Sequence, residues 1–369
     1  MSVEQIFQDI RARRAAVRLR PGDDPSETIA RVTWSAITEP GDGTAGGVVA
    51  QRGAMEGLRS VFPASSILRE PLGNALRDGI KRWMPRLQAA VIIDALESAE
   101  RVGAQLLLPG DQHWPVALND LGDHTPHLLW VKGATDALSK TSNIAIVGAR
   151  AATAYGEHMA TELAADLSEQ GITVVSGGAY GIDGAAHRAA VRAGGATVAF
   201  LAGGVDRAYP AGHTQLLARI ADSGALVSEV PCGTAPTKWR FLARNRLIAA
   251  STDATIVVEA GRRSGSLNTA GHAASLGRPL GAVPGPATSA ASAGCHRLLR
   301  EYDACCVTSA NEVIELLGLP QQAGADGGEF MGGQNAETIR VMDALSSRTL
   351  RSSTEIAQKS GLALSLIHI

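Results

Sequence analysis

Aromatic residues are scarce in this chain. Phenylalanine, tryptophan and tyrosine make up 4% of 369 residues, so the cores must be packed mostly from aliphatic side chains, alanine and glycine. Cysteine is also sparse. Cys232, Cys295, Cys305 and Cys306 include no C-x-x-C pair, and the last two are adjacent. This argues against a zinc site and a disulfide framework and leaves free thiols of a reducing compartment as the expectation. The formal net charge is only −2, so no global field draws the protein onto nucleic acid, and any such site must be a local patch. No apolar run approaches the ~20 residues of a membrane span. The opening residues Met1-Ser2-Val3-Glu4-Gln5 carry an acid and no apolar signal-peptide core. A soluble, cytoplasmic protein is expected.

What is present is a regular alternation. At this length two or three domains are expected. Residues 1–104 read as helical, with helices over 1–20, 26–39, 48–60 and 86–102, broken at Pro21-Gly22, at Pro40-Gly41 and in the Gly-rich stretch 41–47. Leu87, Ala90, Val91, Ile93, Ala95 and Leu96 approximate one face of the last helix. Leu106–Asp111 and Pro126–Gly133 read as extra strands leading into the main sheet.

From Asn143 onward, short apolar runs bounded by Gly alternate with helical patterns. They place strands near 143–147, 172–176, 196–201, 225–228, 254–258 and 280–283. Helices fill 155–170, 183–193, 213–222, 239–250, 267–276 and 294–300, with a closing helix over 309–318. This predicts a doubly wound α/β domain over 105–319, with ligands bound where the strands end, against helix N-termini. Residues 320–335 read as a linker. In 336–369, Ile339, Val341, Met342 and Leu345 mark one helix, and Ser353–Leu362 looks like the first helix and turn of a helix-turn-helix. The run 364–369 has no Lys or Arg and resembles a translated adapter, so an incomplete winged-helix-like module with a foreign tail is expected.

A dinucleotide site would need G-x-G-x-x-G after the first strand and an acid ending the second. The chain instead has Gly148-Ala149-Arg150 and Ser176-Gly177-Gly178, which argues against NAD. Arg150 at the strand tip suits a phosphate oxygen, or equally a carboxylate across a loop. Asp183 and His187 share a helix face, with Ser176 nearby in sequence. A helix-capping Asp183 and a structural His187 are preferred over a catalytic set. Glu259 ends a strand; it could be a base, but bonding of the Gly-rich loops is the preferred reading.

Pro236–Arg246 holds Lys238, Arg240, Arg244 and Arg246 with Trp239 and Phe241 and no acid. Cations hold phosphates and rings stack on bases of a single strand. An amphipathic helix with solvated charge and a buried Trp239 or Phe241 explains the composition slightly better when taken alone. Ser264-Gly265-Ser266 precedes a helix and offers hydroxyls and N–H groups to an anion.

Together these stretches resemble the DprA/Smf family of DNA-processing proteins. The resemblance rests on Ile146–Arg150 with Tyr155-Gly156, Ser176–Asp183 with Ala186-His187, and Ala202–Asp206 with Tyr209-Pro210. It continues through Ser228-Glu229, Gly233–Pro236, Phe241–Arg246, Val258–Ala260, Ser264–Leu267 with Thr269-Ala270, and Val283–Gly285. It covers about residues 105–305, and less specifically a sterile-alpha-motif-like N-terminal region. The resemblance implies an extended Rossmann-like fold and no catalysis or cofactor. It implies sequence-independent binding of single-stranded DNA, loading of RecA recombinase in natural transformation, and a homodimer formed through the α/β domain. The residues it assigns to DNA are Gly148, Arg150, Gly177, Gly178, Lys238, Phe241, Arg244, Asn245, Arg246, Ser264, Gly265 and Ser266. Ala149, Leu242-Ala243, His213, Asn268 and Cys295-His296 depart from the usual family residues. The rival reading is a nucleotide-processing enzyme of the lysine-decarboxylase-like group, but the P-G-G-x-G-T-x-x-E loop of that group is absent.

Overall fold

The computed structural model describes residues 3–63, 73–140, 142–318, 336–345 and 351–362. Residues Met1–Pro320 form one compact unit and Gln321–Ile369 a second. The expected linker and foreign tail lie outside the described residues.

Seven helices open the first unit: α1 (Val3–Phe7), α2 (Ile10–Leu19), α3 (Pro25–Ile37), α4 (Gly43–Arg52), α5 (Ala54–Val61), α6 (Asn74–Trp83) and α7 (Ala89–Arg101). The single helix expected over 1–20 is two, because the Asp9 carboxylate accepts from the N–H groups of Arg11 and Ala12 and starts a new one. The helix expected over 48–60 divides at Gly53, whose φ is +76°. The expected break over 41–47 is wrong. Asp42 caps α4 at Gly43, and the glycines that suggested a loop serve close packing. A Cβ on Gly46 would stand 1.8 Å from the carbonyl oxygen of Asp123. The apolar pattern gives no sign of α6. The buried face of α7 is Ala89, Ile92, Ile93, Ala95, Leu96 and Ala99, whereas Val91 is exposed.

The sheet follows: β1 (Gln105–Leu107), β2 (Leu129–Gly133), β3 (Asn143–Gly148), β4 (Thr173–Ser176), β5 (Thr197–Leu201), β6 (Ala225–Ser228), β7 (Ala254–Glu259), β8 (Leu280–Ala282) and β9 (Cys305–Cys306). Between them run α8 (Ala154–Glu169), α9 (Ile182–Arg192), α10 (Thr214–Ser223), α11 (Lys238–Ala250), α12 (Ser266–Ser275), α13 (Ala293–Glu301) and, after β9, α14 (Ala310–Leu316). The order across the sheet is β1-β2-β6-β5-β4-β3-β7-β8-β9. Among the described residues, only the β1–β2 and β2–β6 pairings are antiparallel. Chain order runs outward in both directions from β3, so the switch point lies between β3 and β7, and the crevice opens beyond their carboxyl ends.

Alternation along β3 shows how the layers form. Ile144 and Ile146 pack with Leu163 and Leu167 of α8 and Ile182 of α9. Ala145 and Val147 face the other side, with Leu247 and Ile248 of α11 and Ala270 of α12. A third core joins the N-terminal helices, through Ile6, Phe7, Trp34 and Leu96, to Leu106, Trp130 and Leu226 of the sheet. The helical region and the antiparallel edge therefore share one interior.

The second unit contains α15 (Ala336–Ala344) and α16 (Ser353–Ser360). Ser352 and Glu355 form a capping box at the start of α16, and Gly361 closes it with φ +66°. A helix closed by a glycine thus stands where the sequence placed Ser353–Leu362.

Candidate nucleic-acid interface

A groove of about 490 Å³ opens at the switch point. Its walls are the turn after β3 (Gly148–Ala151), the body of α11 (Phe241, Leu242, Arg244, Asn245, Ile248), and the loop from β7 into α12 (Gly261, Arg263–Ser266), with Ala179 and Asp183 on its floor. Chain segments more than a hundred residues apart thus meet in one place.

The turn after β3 can approach α9 this closely because residue 148 is Gly. A Cβ there would lie 2.4 Å from Ile182 Cγ1. The turn brings Arg150 to the surface, exposed. Its guanidinium carbon sits 4.7 Å from the centre of the Phe241 ring, a cation–π distance. Arg244 lies 5.9 Å from the same ring, and the Tyr209 ring is 5.5 Å away at 51°. Phe241 is half-buried, so it is neither the sealed core residue nor the free ring of the two sequence readings. Trp34, Trp83, Trp114 and Trp130 are each at most 2% exposed, but Trp239 is 60% exposed. Of the amphipathic-helix reading with a buried Trp239 or Phe241, the buried Trp239 is therefore set aside, and Phe241 is partly buried.

Arg244 is the floor of the groove rather than its lip. It is buried, and its Nη1 donates to the carbonyl oxygens of Gly177, at 2.7 Å, and Phe200. Burial lowers its pKa to about 10, opposed by the Asp183 carboxylate. Burial likewise raises the Asp183 pKa, opposed by Arg244 and by the N–H groups of Ala179 and Gly177. Asp183 accepts from Gly177 at 3.1 Å and Ala179 at 3.4 Å. Its role is to tie the loop before α9, whose N-cap is Gly181. The helix cap expected of Asp183 is not what it makes.

Asn245 spans the groove to the α12 loop, donating to Gly265 O and to Asn268 Oδ1, each at 3.3 Å. Ser264 and Ser266 hydroxyls are 2.8 Å apart at the start of α12. A helix start presents unpaired N–H groups and the positive end of the helix dipole. Lys238 is exposed in the first turn of α11, three residues before Phe241, and therefore on the same side of the helix.

Four of the residues assigned to DNA do not line the groove: Lys238, exposed at the start of α11, and three others. Arg246 is buried and donates to both Glu229 oxygens, at 2.6 and 2.7 Å, because Gly41 packs over its guanidinium. Gly177 lies beneath Arg244, where a Cβ would stand 2.2 Å from Nη1. Gly178 turns away at φ +64° and accepts from His213 Nδ1 at 3.0 Å. Gly148, Arg150, Phe241, Arg244, Asn245, Ser264, Gly265 and Ser266 do line it. Sequence reasoning missed Arg263, whose signal is the Arg262-Arg263 pair directly before Ser264. It also gave no role to Tyr209.

The residues weighed for catalysis are engaged internally. Ser176 Oγ donates to Ile146 O at 2.6 Å. His187 Nδ1 pairs with Thr197 Oγ1 at 2.7 Å. Glu259 accepts from the Thr153 N–H and hydroxyl, each at 2.8 Å. The cysteines are free thiols. Among the described residues no cluster fit for a metal ion occurs and no helix is long and apolar enough to cross a membrane.

The sheet order and the crevice at its switch point define the class: a Rossmann-like α/β protein with an open groove lined by Arg150, Arg244 and Arg263. The model of the family described as DNA recombination-mediator protein A matches residues 105–318, and the chain belongs to that family. It is 46% identical over 325 residues to a DNA processing protein DprA of Mycobacterium tuberculosis, covering 83% of this chain and 82% of the relative. It is 35% identical over 243 residues to DprA of Bacillus subtilis, covering 66% and 80%. The X-ray structure of DprA from Streptococcus pneumoniae superposes with a TM-score of 0.63 at 32% identity, over 78% of this chain and 96% of that one. DprA from Helicobacter pylori, whose structure concerns its single-stranded DNA binding mode, gives 0.53 at 30% identity, over 58% and 95%.

Proposed function

We propose that this protein binds single-stranded DNA without sequence preference along the switch-point groove and delivers the strand to a RecA recombinase. The observation that carries this reading is the Arg150–Phe241 pair, 4.7 Å apart, on a groove that also receives Arg263 and the start of α12. Guanidinium and helix N–H groups suit phosphates, and a ring suits any base. Membership of a recombination-mediator family supports the RecA step, as does a relative studied for its single-strand binding. In this reading the protein acts in the cytoplasm during natural transformation, as a homodimer joined through the α/β domain, and is not an enzyme. The internal engagement of Ser176, His187 and Glu259 supports the last point.

Fluorescence anisotropy on labelled oligo-dT tests the groove. Arg150→Ala and Lys238→Ala should weaken binding to all sequences alike, and Phe241→Ala should cost about 1–3 kcal/mol of stacking. Unchanged affinity in all three variants would refute it. RecA filament growth on a single strand, with wild type against Arg150→Ala, tests the delivery step, and sedimentation equilibrium tests the dimer.

A further inference from the structure

The Phe241 ring is only partly open to a base. It is half-buried, and Arg150 stands over it at 4.7 Å. Further aromatic surface beside it belongs to its neighbour. Tyr209, 5.5 Å from Phe241, is 49% exposed and lies outside the groove lining. Arg150, Phe241 and Tyr209 thus form a contiguous group that passes from the groove onto the loop after β5.

That loop is braced. The Arg207 N–H donates to Gly204 O at 3.1 Å, and the Gly204 N–H to Thr234 O at 3.0 Å. The Gly233 N–H donates to Asp206 at 2.9 Å. On the other side of Pro210, the Gly212 N–H donates to the Tyr180 hydroxyl at 3.2 Å. The Tyr209 hydroxyl has no hydrogen bond among the described residues, so the polar end of the side chain does not account for its position. A ring held in place and left uncovered, next to a ring that itself carries a cation, is the arrangement that base stacking uses.

We propose that Tyr209 is a second base-stacking residue. It would take a nucleobase of the strand whose backbone passes Arg150 and so extend the track beyond the groove. This rests on the reading of the groove as a single-strand site.

The test compares wild type, Tyr209→Ala, Tyr209→Phe, Tyr209→Leu, Arg150→Ala and Phe241→Ala by anisotropy. The probes are labelled oligo-dT and an abasic oligonucleotide of equal length. Tyr209→Ala and Tyr209→Leu should weaken oligo-dT binding about 5- to 100-fold, the loss of one stack, while Tyr209→Phe keeps it. Binding to the abasic strand should be the same in all four forms of residue 209. Wild-type oligo-dT affinity in Tyr209→Ala, with Arg150→Ala impaired, would overturn this inference and leave the groove reading intact. An equal loss on the abasic strand, or full recovery in Tyr209→Leu, would make Tyr209 a prop for Phe241 and also overturn it. Wild-type behaviour of Arg150→Ala and Phe241→Ala would sink the groove reading itself.

Discussion

Arg246 carries a charge that does not reach the groove. Its side chain is 8% exposed and that of Glu229 is 11% exposed. The same carboxylate also accepts from the Gly41 N–H at 3.2 Å. Removing one member of a buried pair strands the other charge, at a cost of about 3–5 kcal/mol. Arg246→Ala is therefore expected to lower unfolding free energy by about that amount. Its oligo-dT affinity should match wild type at temperatures where the variant stays folded. Urea unfolding and anisotropy on the same preparation check this, and weakened binding with unchanged stability would contradict it. Arg244 is the intermediate case, since its Nη1 serves two carbonyls while its side chain still lines the groove. A run of four basic residues in sequence thus divides, by burial, into roles that composition cannot separate.

Helix α11 extends that division to a whole element. Lys238, Arg240, Arg244 and Arg246 lie along thirteen residues. Arg240 faces the N-terminal helices and donates to both Glu39 oxygens at 3.0 Å, while Arg86 donates to the same carboxylate. Among the described residues no ion pair holds Lys238, Arg150 or Arg263. For single strands the logarithm of affinity falls with the logarithm of salt by about 0.7 per neutralised phosphate. Replacing Arg150, Lys238 or Arg263 by Ala should each flatten that slope by about 0.7, whereas Arg240→Ala should leave it unchanged. Titrations across a range of salt concentrations measure the slopes, and an equal effect of Arg240→Ala would place that side chain on the strand. The element was placed from sequence at 239–250, one residue short of its start at Lys238, where Thr237 caps it and its side chain accepts from the Arg240 N–H. The central strands were legible because parallel strands buried on both faces read as unbroken aliphatic runs. Helix α4 was not, because Gly43 and Gly46 are there for close approach to His124 and Asp123, a tertiary demand that overrides local propensity.

At the scale of the molecule, the sequence announced Gly-bounded strand ends but not which of them would meet. The crevice depends on the order of β3 and β7 in the sheet, and that order is set by long-range pairing. Arg150 and Phe241 were both named from sequence, but their contact, and that of Tyr209, was not readable. The same long-range packing makes stability depend on pH. His187 is fully buried between α9 and the sheet. Thr197 Oγ1 donates its proton to Val174 O at 2.6 Å, so it accepts from His187 Nδ1–H, and Nε2 is left without a partner among the described residues. Burial first, then the charges of His213, Arg244 and Arg188, lower the His187 pKa to about 3. His127 moves the same way, to about 4, through burial and Arg31. An unfolded histidine takes up its proton near about pH 6.5. Below that value the unfolded chain binds protons that the folded protein refuses, so unfolding free energy falls as pH drops. The contribution is complete above about pH 6.5 and is lost progressively toward pH 3 for His187, at up to about 1.4 kcal/mol per pH unit. Urea midpoints at pH 7 and pH 5 should therefore differ by more in wild type than in His187→Gln. Parallel pH profiles for the two proteins would mean that folding leaves the His187 pKa unshifted.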